Sequence, residues 1–304
     1  MKKQTIAAII GGTVLALGVA GVGIYLAISQ NAQQNIANTN SDIDNTNSGS
    51  KNDTSATNSS ISSKTKITSG GTYRYSGTLS DKISVDTTES VVIVLENVSI
   101  TSADGAGIKC QENSNVTIQL AGSNTITSNN ENDGINSESD LTITGDGSLT
   151  INAEDDGIHA DGKLTIESGT IIINAHEGLE ATYTIINGGT IKITATDDGI
   201  NAGNKSDKYA VKIEINGGDI TIDMGQGDTD AIDSNGDLVI NGGTLNITAQ
   251  SPFDYDGTGQ LNGGTIIVNG KTTTELTNQF GGGMMGGNQP QNNQPQNGNP
   301  TTKR

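Results

Sequence analysis

Tryptophan is absent, cysteine occurs once, proline four times, and the aromatic complement is six tyrosines and two phenylalanines. One cysteine excludes an internal disulfide framework and zinc sites built on several thiolates. Basic residues are scarce: 16 against 34 acidic ones leave a net charge of −18. Such a chain lacks the basic face that nucleic acid requires, so no nucleic-acid partner is expected. No nucleophile with its base, P-loop or dinucleotide fingerprint is visible, and no amphipathic helical window occurs between Ile67 and Gly270.

What is abundant is glycine, 41 residues without a collagen-like period of three, and acid concentrated in one segment. Between Ile67 and Phe280 stand 9 basic and 31 acidic residues, a balance of −22. Charge of one sign at this density points to a cation as partner, or to a surface kept soluble by repulsion.

Lys2 and Lys3 precede an uncharged stretch, Gln4 to Gln30, whose apolar core Ile6 to Ile28 is long enough to cross a bilayer as a helix. The expectation is an uncleaved signal anchor, or a signal peptide cleaved near Ala27-Ile28-Ser29. Either way the remainder is exported, to the cell surface or the medium. Residues 31–66, rich in Asn, Ser and Thr, read as a flexible spacer, and 280–304, a Gly/Met run followed by Gln, Asn and Pro, as a disordered tail.

The middle, residues 67–279, is a repeat. Units such as Leu141-Thr-Ile-Thr-Gly-Asp-Gly-Ser-Leu-Thr-Ile-Asn-Ala-Glu-Asp-Asp-Gly-Ile-His-Ala recur, and Ile135, Ile158, Leu179, Ile200, Ile232 and Tyr255 align at spacings of 23, 21, 21, 32 and 23 residues. The long spacing marks an insertion around Asn204 to Lys208. Each unit holds three short pieces with the strand period of two, separated by glycine turns. Three strands and three turns in about 21 residues make one coil of a parallel β-helix, whose stacked coils bury one apolar column. The expected fold is therefore all-β, a single-stranded parallel β-helix of about seven coils, with a two-sheet sandwich as competitor. Cys110 falls in phase with Ile108 and should point inward as a small hydrophobe.

Two columns flank the third strand. Before its glycine stand Asp133, Asp155 and Asp156, Glu177, Asp197 and Asp198, then Asp228 and Asp230; after its inward residue stand Lys109, Asn136, His159, Glu180, Asn201, Asp233 and Asp256. Strands about 4.8 Å apart bring equivalent carboxylates nearly over one another, at a repulsion of roughly 3 kcal/mol per pair for an effective dielectric near 20. A divalent ion between coils reverses that sign, and calcium suits hard oxygen ligands of flexible geometry. Asp133, Asp155, Asp156, Glu177, Glu180, Asp197, Asp198, Asp228, Asp230 and Asp233 are the candidate ligands, best where Glu177 and Glu180 lie beside Asp156 and Asp198, and where Asp230 meets Asp233. Turn chemistry with solvated charge stays open as the alternative. An EF-hand-like match over Asn129 to Asp140 lacks flanking helices and the end residues of that motif.

No carboxylate pair is singled out for glycoside hydrolysis by so repetitive a ladder. A lyase would need a base, for which Lys109 and Lys163 are candidates. His159 and His176 fall in different columns and read as exposed. Asn136, His159 and Asn201 on the strand face, and Phe253 and Tyr255 in the last coil, are candidate contacts for a polysaccharide; capping the open core is the structural alternative for the two aromatics.

The opening Gly71-Thr-Tyr-Arg-Tyr-Ser-Gly-Thr-Leu-Ser, the passage Val91 to Ile108 and the iterated Asp-Gly-Ile and Gly-Gly-Thr units together resemble an exported bacterial carbohydrate-binding β-helix family. Its prototype is a clostridial cellulose- and polygalacturonate-binding domain. The resemblance spans about Ile67 to Gly270, and the insertion from Lys205 is similar to the family's late insertion. It implies a right-handed, pectate-lyase-like parallel β-helix, bound calcium and polysaccharide binding without a need for catalysis; apart from the resemblance, a monomer held at the membrane through its N-terminal segment is expected. Many relatives carry Lys after Asp-Gly-Ile; here only Lys109 does, so an anionic sugar would need calcium as a bridge.

Overall fold

The computed structural model describes residues 65–225 and 229–278, together with the backbone of a two-residue antiparallel pair, Ile9–Ile10 with Thr13–Val14. The chain divides into two units, Met1–Ala56 and Thr57–Arg304. In the first, only that pair is described; the rest of the signal anchor, the spacer as far as residue 64 and the tail lie outside the described residues, while Lys66, at the spacer's end, opens the strand Lys66–Ile67. No helix among the described residues is long and apolar enough to cross a membrane.

The second unit is a parallel β-solenoid of about eight turns, with no helix among its described residues. Strands superpose in three stacks. Stack A holds the short Asp-Gly-Ile strands, among them Ile108–Cys110, Ile135–Ser137 and Ile200–Ala202. Stack B begins with Leu-Thr-Ile pieces such as Leu141–Gly145, and stack C follows with strands such as Thr170–Ala175 and Thr190–Ala195. The turn beyond the expected seven arises at the N-terminal end, where Ile67, Tyr75, Ile83 and Val85 fill the inward columns without the glycine signature that marks later coils.

Alternation explains the core. Ile143, Ile166, Ile186, Ile215 and Ile240 point inward from stack B, and Ile151, Ile173, Ile193, Ile222 and Ile247 from stack C, each essentially inaccessible to water. Their column is continuous because parallel pairing keeps register between coils, so every apolar residue packs on its equivalents above and below. Cys110 takes its expected inward place, and burial pushes its thiol up to about 12.

Glycine serves two distinct purposes. In the Asn-Gly-Gly turns the second glycine has positive φ, as at Gly189 (95°). The glycine of Asp-Gly-Ile does not: a Cβ on Gly178 would overlap the Gly199 carbonyl and Ile193. That position is set by close approach between coils, not by turn geometry as the sequence suggests. The Asn of the turn also builds a ladder, with Nδ2 of Asn262, Asn241 and Asn216 donating to Oδ1 of the preceding Asn241, Asn216 and Asn187 at 2.8–2.9 Å. The Glu167 carboxylate accepts the Nδ2 of Asn187 at 3.0 Å and ends the series.

One register differs from expectation. Asp233 pairs with Asp254 and Ser234 with Tyr255, so Phe253 takes the place expected for Tyr255, and Asp254 that expected for Asp256. The shift is two residues, which leaves every side chain on the same face and is therefore invisible to periodicity. The extra residues of the long unit fall mostly between Ala202 and Lys212, where the loop folds back: Lys208 Nζ and Tyr209 Oη reach Asp140 Oδ2 at 2.7 and 2.8 Å.

Candidate functional site

The outward residue of each stack A strand follows the inward isoleucine. Pairing aligns Lys109, Asn136, His159, Glu180, Asn201, Asp233 and Asp254 in one column. Beside it run the residues before the glycine, tied by backbone bonds from Gly134 N to Asp156 O, Gly157 N to Glu177 O, Gly178 N to Asp198 O and Gly199 N to Asp230 O. Both acidic columns expected from the sequence thus exist, at successive coils of one face. Asp228 lies outside the described residues.

The two columns are not uniformly acidic in effect. At the N-terminal end Lys109 Nζ donates to Asn136 Oδ1 at 2.6 Å and pairs with Glu138 at 2.7 Å, while Asn136 Nδ2 donates to Asp133 Oδ2 at 2.5 Å.

At the middle coils carboxylate oxygens of Asp156, Glu177 and Glu180 lie within 4.8 Å of one another, as do ligand atoms of Asp133, Asp156 and His159. Yet cations of the chain already serve this cluster. His159, expected to be exposed, is largely buried: Nδ1 meets Asp156 at 3.0 Å and Glu180 at 2.5 Å, and Nε2 meets Asp161 at 2.9 Å. Burial disfavours its imidazolium, but the hydrogen bonds it donates to the three carboxylates of Asp156, Glu180 and Asp161 outweigh that and raise it to about 11. Lys205, from the insertion, pairs with the other oxygen of Glu180. Burial alone would raise Glu180; His159 and Lys205 hold it well below the usual range, while burial pushes Asp156 up. With both ring nitrogens engaged, His159 has no nitrogen to offer a glycan.

The C-terminal half differs. Burial raises Glu177 to about 7, opposed by the Asn201 amide and reinforced by Glu180, Asp198 and Asp197. Burial also raises Asp198 to about 7, with Asp233 next, and Asp233 to about 6, with Asp254 and Asp230 next. Asn201 gives its Nδ2 to Glu177 at 3.0 Å, leaving its Oδ1 buried without a donor. Asp254 Oδ1 is likewise buried and unpartnered. These two orphaned acceptors flank Asp233 in one column. Acceptor oxygens short of positive charge suit a hard cation, though the acidic groups that converge within 4.8 Å are those around Asp156, Glu177 and Glu180, Asp133 with His159, and Asp197 with His176. Asp155 and Asp197 stand one residue further out, Asp155 raised by burial and then by Asp133; Asp197 lies near Glu177 and the exposed His176, whose Nδ1 is 4.0 Å from it. Asp230 accepts from Ser251 and gives its backbone N–H to Asp198 Oδ1 at 3.2 Å.

Phe253 is only 1% exposed, so it fills the core and cannot stack on a sugar. Tyr255 packs half-buried beside it, its hydroxyl donating to the Leu276 carbonyl at 3.1 Å, and thus caps the solenoid end. Sequence reasoning missed Lys205 and Asp254. Lys205 is far from Glu180 along the chain and carries no motif, whereas Asp254 stands two residues before the position to which the repeat was aligned.

A family model described as "Carbohydrate-binding domain-containing protein" matches residues 61–277. A solved structure, a gadolinium derivative of a polysaccharide lyase-like protein from C. thermocellum, is similar at 31% identity and a TM-score of 0.51, covering 67% of this chain and 84% of that chain. No curated protein matches.

Proposed function

Because the chain belongs to this carbohydrate-binding domain family, we propose that it is a calcium-binding, polysaccharide-binding protein of the cell surface or the medium. The C-terminal half of the acidic face holds calcium through Asp198, Asp230, Asp233, Asn201 and Asp254. The observation that carries this is the pair of buried, donorless oxygens of Asn201 and Asp254 on either side of Asp233. Calcium would supply the charge that these oxygens lack and bridge an acidic sugar that the chain would otherwise repel.

Thermal melting during calcium titration tests it. A rise in Tm at millimolar calcium, lost in Asp233→Asn, is the expected outcome; indifference to calcium would sink the metal assignment.

A lyase is the second reading, favoured by the description of the similar structure as lyase-like. Its base would be Lys109 or Lys163, and the first is tied to Glu138. Absence of unsaturated products from uronate chains in the presence of calcium would exclude it.

A further inference from the structure

A groove of about 470 Å³ lies not on the acidic face but where stack C turns toward stack A. It crosses four coils. Register aligns Thr127, Asn152, Asn174 and Thr194 along it, and at about 4.8 Å per coil the row is about 14 Å long. Asn174 Nδ2 donates to Asn152 Oδ1 at 3.0 Å, which orders the two amides. The hydroxyls of Thr127 and Thr194 have no protein partner among the described residues. Ala153 and Ala175, half-buried, provide methyl surface between the polar groups. The lining contains one carboxylate, Glu154, one imidazole, His176, and no lysine or arginine.

We infer that this groove binds an uncharged, extended polysaccharide chain, separately from the acidic columns. The inference rests on the carbohydrate-binding reading of the chain but not on calcium. Hydroxyls and amides both donate and accept, as sugar hydroxyls do, and they recur at each coil as sugar units recur along a glycan. The methyl groups suit the C–H faces of pyranose rings. Charge selects between glycan classes: a polyanionic chain would meet the field of a segment at −22 with no basic side chain in the groove to receive it, whereas a neutral chain meets no such cost.

The test is calorimetric titration of the full chain, kept in a detergent without a sugar headgroup, with cellohexaose, xylohexaose and mannohexaose in EDTA, and with oligogalacturonate in calcium. At least one uncharged probe is expected to bind in EDTA. The triple variant T127V/N174A/T194V should weaken it about tenfold or more at unchanged Tm, since the replaced groups face outward. Asn152→Asp, a smaller change that adds a carboxylate to the groove, should weaken it as well and serves if the triple variant misfolds. Neutral-glycan binding that survives both variants, or that is removed by Glu177→Gln instead, overturns the groove assignment and leaves the carbohydrate-binding reading standing. Silence of all uncharged probes with oligogalacturonate still bound also overturns only the groove; silence of every probe overturns both.

Discussion

Glu180 stands between His159 and Lys205, and these two cations offset the charge of Glu180, Asp156 and Asp161 inside a face read from sequence as acid throughout. Replacing one partner of a buried charge network strands the others, at a cost of about 3 kcal/mol. Glu180→Gln should lower the midpoint of denaturant unfolding accordingly while leaving calcium-induced stabilisation in place, because the donorless oxygens lie at Asn201 and Asp254. The opposite case is Thr184, which sits in the inward column between Leu164 and Ile213 with its hydroxyl buried and unpartnered. Valine has the same shape without the unmet hydrogen bond. Thr184→Val should therefore stabilise by about 1 kcal/mol, read from the same unfolding curve.

At the scale of the strand and its turn, spacing between coils is the governing constraint. Neighbouring Asp-Gly-Ile segments approach so closely that Gly134, Gly157, Gly178 and Gly199 each abut the backbone of the next coil. A methyl group there must displace a carbonyl held by the ladder, for which the solenoid has no slack. Gly178→Ala should cost about 3 kcal/mol, the upper range of overpacking, visible as a lowered unfolding midpoint. The same closeness stacks the carboxylates of Glu177, Asp198 and Asp230, so the geometry that makes the columns also makes them electrostatically costly.

Across the whole molecule that cost becomes a pH dependence. Glu177, Asp198 and Asp233 have folded values of about 7, 7 and 6 against ordinary values of 4.5, 3.8 and 3.8. Between pH 4 and 7 the folded chain therefore holds more protons than the unfolded one, and stability falls as pH rises through this window. In EDTA the Tm should drop by about 5 °C from pH 5 to pH 8, after allowance for solvent screening. Calcium should narrow the gap by restoring Tm mainly at pH 8; a Tm flat or rising with pH in EDTA would contradict the assignment. Much of this molecule was legible beforehand. Period-two alternation places Ile143, Ile151 and Ile158 in the core, and the repeat places Asp198 and Asp233 on one face, because strand geometry converts spacing directly into side-chain direction. Three things depended on the fold. Lys205 meets Glu180 only because the insertion folds back. The partner of Asp233 is Asp254, since a slip of two residues preserves the pattern that sequence reads. The polar groove at Thr127, Asn152, Asn174 and Thr194 exists because four coils align residues that no motif connects. Sequence periodicity determines which face a residue occupies; only tertiary packing decides which residues on that face become neighbours, and hence where charge is neutralised and where it is left for a ligand.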